Sequence, residues 1–514
     1  MRRRVPTLAM LGLSSVLEAC GADPGPSPRD TDGGDDSGGV HDSGDDDPPG
    51  GPLLLCGGGT EGDVGDATAW STAYAVLLEG GDVTGDGRVR VAVLADSEQT
   101  GWLPGYLEWL GADEAFNLTV ATRAAARADD LAAVFADVDA VFLKGGDQGS
   151  YYDLWNDSPL ETLILGVYAA GGAIGGTSAG AMSQSEYALA GGADYVSADV
   201  LLDSHTAWLD DVSDGGSGVH DDFLGLLPRT LVDTHFSVRG RLGRLAGALA
   251  LAIDEGAPDD LLGIGLDERT CLRVRDGRAL VSGAASAVFL RPGDEPALRV
   301  PGEPLVWSGL ALDRLTAGWT YDLEAGSVDT ADPPASAEPV AWDGTPESQE
   351  AADWSVSGVL RGDEERFEVV ADRWPEAYGT HAGTRAPLLR DAVGFMDAHD
   401  AKMRGVNDEV AFRLLHDQPE LTAFLVGADG AMRRPADTPD LVRLEAAADV
   451  PMATLILDAS RVSWRSLSDQ VSVEDAGDGG LHPAGLVGVR LHVLFTDGSD
   501  GRAWDLAHRE PATP

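Results

Sequence analysis

The sequence predicts an α/β architecture, a mostly parallel β-sheet with helices on both faces, and three observations predict it. From residue 53 onward, short and nearly continuous apolar runs alternate with stretches of helical spacing, the pattern of strands buried on both faces. Several of those runs end in glycine-rich turns, "LLLCGGG", "VFLKGGD" and "AIGGTSAG", as strand-to-helix connections at one edge of a parallel sheet do. The chain has 514 residues of which 43% are hydrophobic, enough apolar material for real cores and more length than one domain needs.

The elements follow in order. "PLLLCGGGTEG" is a buried strand running into a tight turn, and "DATAWSTAYAVLLEGG" has helical spacing. "RVRVAVLADSE" is a strand, "PGYLEWLGA" a helix, "NLTVAT" a strand, "RADDLAAVFADV" a helix and "DAVFLKGGD" a strand. "YYDLWNDSPLETLILGVYAAGG" reads as one helix, and "AIGGTSAG" as a strand and its turn. In "LLPRTLVDTHFSVRGRLGRL" an apolar strand ends at His235 and a basic helix follows; "LLGIGLDERT" is another apolar strand. Asp82, Thr84 and Asp86 alternate as in a calcium loop, but Val93 stands at the twelfth position, where a bidentate Glu is needed, so a plain turn is expected. The catalytic region spans 53–328, and "DTADPPASAEP" marks a linker at 329–345. Residues 346–514 form an accessory α+β region of uncertain fold. Its "GVRLHVLFTDGSDGRAWDL" echoes "GLALDRLTAGWTYDL" at 309–323, so a degenerate repeat is one reading.

Charge excludes one class of partner. Thirty-six Lys+Arg against 86 Asp+Glu give a formal net charge of −50, which repels phosphate backbones and argues against nucleic acid. The start of the chain reads as an export signal (1–20): Arg2, Arg3 and Arg4 precede the short apolar run "VPTLAMLGLSSVL", which ends in "LEAC". That run is too short to span a bilayer. "LEAC" resembles the bacterial lipoprotein signal, in which Cys20 would carry the lipid, the only membrane contact expected; secretion is the alternative. Residues 21–52 are Gly, Asp, Pro and Ser with almost nothing apolar, a flexible acidic tether. Cys56 and Cys271 follow apolar runs and read as buried small hydrophobes, with a disulfide as the alternative an oxidising compartment allows.

The chemistry centres on Gly176-Thr177-Ser178-Ala179-Gly180. Gly-x-Ser-x-Gly between strand and helix is the pattern of a nucleophile elbow, where small neighbours permit a strained turn that exposes the serine Oγ. A serine nucleophile needs a base. His205 and His220 flank an acidic Gly-rich stretch that reads as a surface loop, whereas His235 sits at a strand end, where it can reach the elbow. Asp267 and Glu268, at the end of the next apolar strand, both qualify as the acid that orients the imidazole. Gly145 and Gly146 let backbone approach a substrate closely, and Gln148 can donate and accept. Arg239, Arg241 and Arg244 are either a solvated helix face or, in so acidic a chain, a site for a carboxylate.

Taken together and in this order, "FLKGGDQ", "GGTSAGAM", "VDTHFSVRGRLGRL" and "GIGLDERT" resemble the cyanophycinases, serine exopeptidases whose family also contains aspartyl dipeptidase. The resemblance spans about residues 53–325 and implies a fold like the class I glutamine amidotransferase domain. It implies hydrolysis, without metal or other cofactor, of cyanophycin, a poly-aspartate bearing arginine on its side-chain carboxyls, to β-Asp-Arg dipeptides. It puts Ser178 on the nucleophile, His235 on the base and Glu268 on the acid. It puts the N–H groups of Gly146 and Ala179 in the oxyanion hole, and Gln148, Asp233, Thr234, Arg239, Arg241 and Arg244 in the substrate pocket. Thr234 replaces the family's usual Gln, Gly149 replaces a larger residue, and 203–222 resembles an insertion. The implied partner is a cyanophycin-like peptide or polymer, and a homodimer is compatible with this reading. Two rival readings are an Asp-specific dipeptidase and a surface binding protein that keeps the fold without turnover.

Overall fold

The computed structural model describes residues 50–59, 64–65, 73–97, 101–189, 200, 203–206, 218–236, 241–303, 305–339 and 463, together with strands at 359–363, 366–370, 424–426, 453–458, 464–467, 484–495, 504–505 and 510–511. The signal, Cys20, nearly all of the tether, Arg239 and most of 346–514 lie outside the described residues.

The first sheet grows from β1 (Leu53–Cys56), β2 (Arg90–Ala95), β3 (Glu114–Thr119), β4 (Ala140–Leu143) and β5 (Ala173–Thr177), which lie parallel in the order β1-β5-β4-β2-β3. Their connections carry α1 (Trp102–Leu110), α2 (Arg123–Ala126), α3 (Leu131–Phe135), α4 (Gln148–Trp155) and α5 (Pro159–Ala169). Strand alternation divides the apolar side chains between two cores. Leu53, Leu55, Ala92 and Leu94 join a large cluster on one face. Leu54, Cys56, Val91 and Val93 join a smaller one with Tyr74, Tyr106 and Phe142 on the other. Burial on both faces is what the continuous apolar runs require.

The expected helix over "YYDLWNDSPLETLILGVYAAGG" is two helices. Asp157 adopts a left-handed φ of 52°; Ser158 caps α5 by accepting from Glu161 N, and Pro159 is its first residue. Pro has no N–H to give the preceding turn and is preorganised for the first helical position, so the chain stops and restarts. The expected turn at Asp82 is present: its carboxylate accepts from Gly85 N (2.6 Å) and Gly87 N (2.6 Å). These N–H donors, Gly87 first, hold it below the usual carboxylate range.

After α6 (Ala179–Met182) the chain builds a second sheet, which the expectation of one sheet did not contain. It comprises β6 (Ser185–Leu189), β7 (Val219–His220), β8 (Leu227–Asp233), β9 (Leu262–Leu266), β12 (Ser286–Arg291) and β13 (Trp307–Thr316), with α7 (Leu242–Asp254) between β8 and β9. β6, β8 and β9 are parallel; β12 and β13 are antiparallel. β10 (Thr270–Arg275), β11 (Arg278–Gly283), β14 (Thr320–Asp322) and β15 (Ser327–Val328) extend the first sheet antiparallel from β1. Cys56 and Cys271 oppose each other across β1 and β10 and form a disulfide, the alternative that the sequence left open.

The later strands join the second sheet. β16 (Ala337–Pro339), within the expected linker, pairs with β21 (Trp464–Leu467), which pairs with β22 (Ala484–Phe495). β22 also pairs with β20 (Ala453–Asp458) and lies antiparallel on β13. Val489, Leu491 and Val493 are buried in the same core as β13, and Ser466 Oγ accepts from Trp319 Nε1 (3.0 Å). Described strands from 346–514 therefore continue the sheet of residues 53–328.

Candidate active site

The parallel register sets the first residue of the site. Cys56 pairs with Thr177, so β1 and β5 end side by side and Ser178 leaves the sheet at its carboxyl edge, where open α/β sheets carry their chemistry. Ser178 has φ 53° and ψ −120°, a strained conformation for a residue with a Cβ. Its neighbours must be small. A Cβ on Gly176 would lie 2.2 Å from Gly180 O, and one on Gly180 would lie 2.1 Å from Leu143 O. Of the five residues in the elbow, Ser178 alone is not buried.

His235 follows the end of β8. The Ser178 hydroxyl donates to its Nε2 at 2.8 Å, and its Nδ1–H donates to Glu268 Oε1 at 2.6 Å. Among the described residues, His235 is the histidine bonded to Ser178. His220 instead stacks on Tyr152, ring centroids 3.6 Å apart, where burial pushes its pKa down despite nearby Asp222, Asp153 and Asp221. The imidazole and the Glu268 carboxylate are 12% and 24% exposed, shielded enough to strengthen their attraction and open enough for a reactant.

The structure separates the two acids that the sequence left as alternatives. Adjacent residues leaving a strand point to opposite sides. Glu268 faces the imidazole, and Asp267 faces a buried pocket where it accepts from Ser286 N (3.1 Å) and from Arg314 Nη2 (3.1 Å).

The Gly145–Gly146 turn borders Ser178. A Cβ on Gly145 would sit 3.3 Å from Ser178 Cβ, and both glycines are exposed. Ala179 is the first residue of α6, so its N–H has no partner within the helix. Gln148 opens α4, partly exposed, with Asp147 accepting from Gly149 N at the cap. Sequence reasoning missed the brace beneath this turn: Tyr151 Oη donates to Lys144 O (2.8 Å) and its ring stacks on Trp155. The pairing of Tyr151 and Trp155 four apart on a helix is the signal that could have found it.

Asp233, Arg241 and Arg244 form a buried ionic cluster. Asp233 meets Arg241 Nη1 at 2.9 Å and Arg244 Nε at 3.0 Å, with none of the three more than 7% exposed. Arg241 Nη1 also donates to Thr234 O (2.7 Å), so the cluster builds the turn that carries His235. A solvated helix face, one expectation for these arginines, does not apply to Arg241 and Arg244. Thr234, expected among the pocket residues, is fully buried, because the turn directs it inward and His235 outward.

No family model matches the chain. Over 227 residues it is 32% identical to the cyanophycinase of Trichormus variabilis, covering 43% of this chain and 69% of that protein. It is 32% identical over 226 residues to the cyanophycinase of Synechococcus elongatus, covering 43% of this chain and 63% of that protein. A solved peptidase from an acI-B1 actinobacterium shares 21% identity at a TM-score of 0.36, covering 53% of this chain and 97% of its own. The chain belongs to the cyanophycinase family and is a serine-type peptidase.

Proposed function

We propose that the chain is an exported exopeptidase that cleaves cyanophycin or a closely related aspartyl polymer to β-Asp-Arg-type dipeptides, with Ser178, His235 and Glu268 as catalytic triad. One observation carries the reading: an unbroken hydrogen-bond chain from Ser178 Oγ through His235 to Glu268, mounted on a strained elbow at the sheet's carboxyl edge. With its Nδ1 proton held by Glu268, neutral His235 presents a lone pair at Nε2. It takes the Ser178 proton as Oγ attacks the scissile carbonyl, and Glu268 stabilises the imidazolium that forms. His235 then protonates the leaving amine. The acyl ester on Ser178 is hydrolysed by a water that gives its proton to the same nitrogen. The N–H groups of Gly146 and Ala179 receive the oxyanion, and Gln148 contacts the substrate from the start of α4.

Two observations support export. The basic and apolar leader ending at Cys20 has the layout of a lipoprotein signal, and the Cys56–Cys271 disulfide suits an oxidising compartment. The enzyme would then degrade polymer outside the cytoplasm, on a lipid anchor or as a secreted protein.

The experiment is Ser178→Ala beside the wild type on cyanophycin and on aspartyl peptides with and without the arginine side-chain amide, with a fluorophosphonate to mark the nucleophile. Release of dipeptide from cyanophycin and a Ser178 adduct in the wild type alone are expected. Turnover retained in Ser178→Ala would overturn the mechanism. Preference for the peptide without arginine would move the substrate to an Asp-specific dipeptidase.

A further inference from the structure

Six non-glycine residues have positive φ among the described residues: Asp157, Ser178, Arg229, His235, Arg269 and Asp276. Three of them bear or adjoin the triad, Ser178 at 53°, His235 at 48° and Arg269, next to Glu268, at 55°. Such conformations persist only where surrounding structure over-determines them. Their N–H groups donate to three successive carbonyls: Ser178 N to Cys56 O (2.9 Å), His235 N to Gly57 O (2.8 Å) and Arg269 N to Gly58 O (2.9 Å). Gly57 N returns a bond to Thr270 O (2.8 Å). One tripeptide at the end of β1 thus reaches every loop that carries a triad member.

Its sequence follows from the contact. A Cβ on Gly57 would lie 2.0 Å from Asp267 O, and one on Gly58, at φ +99°, would lie 2.3 Å from His235 Cε1. Glycine is required there, yet two glycines at a strand end hold their own conformation weakly and strand ends fray. Cys56 offsets that weakness. It is the last residue of β1, and its disulfide ties it to Cys271 on β10, its register partner and three residues beyond Glu268.

We propose that Cys56–Gly57–Gly58, stapled by the Cys56–Cys271 disulfide, is the positioning element of the catalytic site. The bond fixes the strand end, and the three N–H···O bonds set Ser178, His235 and Glu268 relative to one another. The disulfide stays oxidised through turnover. The inference rests on the triad reading above.

The test compares the full oxidised chain with Cys56→Ala/Cys271→Ala, Gly58→Ala and Ser178→Ala. Inactivation by a fluorophosphonate gives kinact and KI separately, and far-UV circular dichroism gives the folded fraction. Small misplacements of reacting groups cost rate steeply, so at a temperature where the double variant is fully folded, kinact should fall about tenfold to a hundredfold with KI little changed. A staple that served stability alone would lower the melting temperature and leave kinact per folded molecule at the wild-type value, which overturns the proposal. Should the double variant not fold, Gly58→Ala decides, because it disturbs the same contacts with the disulfide intact. A similar loss of kinact is expected, and a wild-type kinact there overturns the proposal. If the oxidised wild type is labelled no more than Ser178→Ala, the triad reading itself fails and the inference falls with it.

Discussion

Glu268→Gln and Asp267→Asn alter neighbouring carboxylates by the same small change, and their effects should diverge. Asp267 is buried against Arg314, itself 1% exposed, and also accepts from Ser286 N. An asparagine keeps an acceptor for Ser286 but removes the negative charge that the guanidinium meets at 3.1 Å. Breaking a buried ion pair costs about 3–5 kcal/mol, and the retained acceptor puts this case near the lower end, about 3 kcal/mol. For a folded unit of about 300 residues or more that is a melting temperature lower by roughly 3–5 °C. The Glu268 carboxylate is partly solvated, 24% exposed, so Glu268→Gln should change stability by no more than about 0.5 kcal/mol. Its cost falls on chemistry. Loss of the acid that fixes the tautomer lowers kcat about 10³–10⁴-fold, roughly 4–5.5 kcal/mol of barrier. Calorimetric melting and turnover of cyanophycin on the same samples measure both quantities. Asp267→Asn inactive at an unchanged melting temperature, together with an active Glu268→Gln, would reverse the assignment of the two acids.

Three further outcomes follow from the same packing. Gly180→Ala places a methyl 2.1 Å from the Leu143 carbonyl, so it should abolish fluorophosphonate labelling and lower the melting temperature, unlike Ser178→Ala, which should melt like the wild type. Burial lifts the Asp313 carboxyl above its usual value, against the opposing Gly488 N–H and the Arg291 charge. Ionising it therefore costs native stability: the margin is full below the unfolded carboxylate value and is lost as pH rises through the raised one. Asp313→Asn, which keeps an acceptor for Gly488 N (2.8 Å), should melt above the wild type at neutral pH, with the gap closing below about pH 4. Truncation after residue 340 removes β20, β21 and β22 and bares the β13 edge, and exposed edges recruit other chains; light scattering should find aggregates where the full chain gives a discrete species.

How far the sequence could be read depended on the range of the interactions. The parallel βα units of the first sheet were legible because apolar runs and glycine turns are local signals, and the elbow was legible because its steric needs act on adjacent residues. The break at Asp157 was written in Ser158 and Pro159, a cap and a start signal within a run that otherwise reads as helix. Asp267 and Glu268 were indistinguishable by spacing. Which one faces His235 depends on the phase of β9, and that phase is set by pairing with β12. The burial of Arg241, Arg244 and Thr234 was hidden for a similar reason. Charge content cannot say that one aspartate at a strand end will take both guanidinium groups. The second sheet and the disulfide are pairings between distant segments, Cys56 and Cys271 being 215 residues apart, and single-chain periodicity carries no information on partners.

The same long-range pairing gives the described C-terminal strands a place in the site's support. Arg314 stands in β13, and its register partner on one side is Leu486 of β22. Its guanidinium reaches past β12 to hold Asp267 at the end of β9, and Asp267 precedes Glu268. A Cβ on Gly485 would lie 3.1 Å from Arg314 O, so β22 approaches the backbone of β13 closely at the residue whose side chain anchors the loop that carries Glu268. Buried pairs tolerate little movement, because a displaced partner leaves a charge without compensation. Whatever shifts β13 by a fraction of an ångström is therefore opposed at Asp267, one residue from the proposed catalytic acid. Strands contributed from residues 346–514 are in this way part of the frame that holds Glu268, which a boundary drawn at 329–345 on composition would have cut away from it.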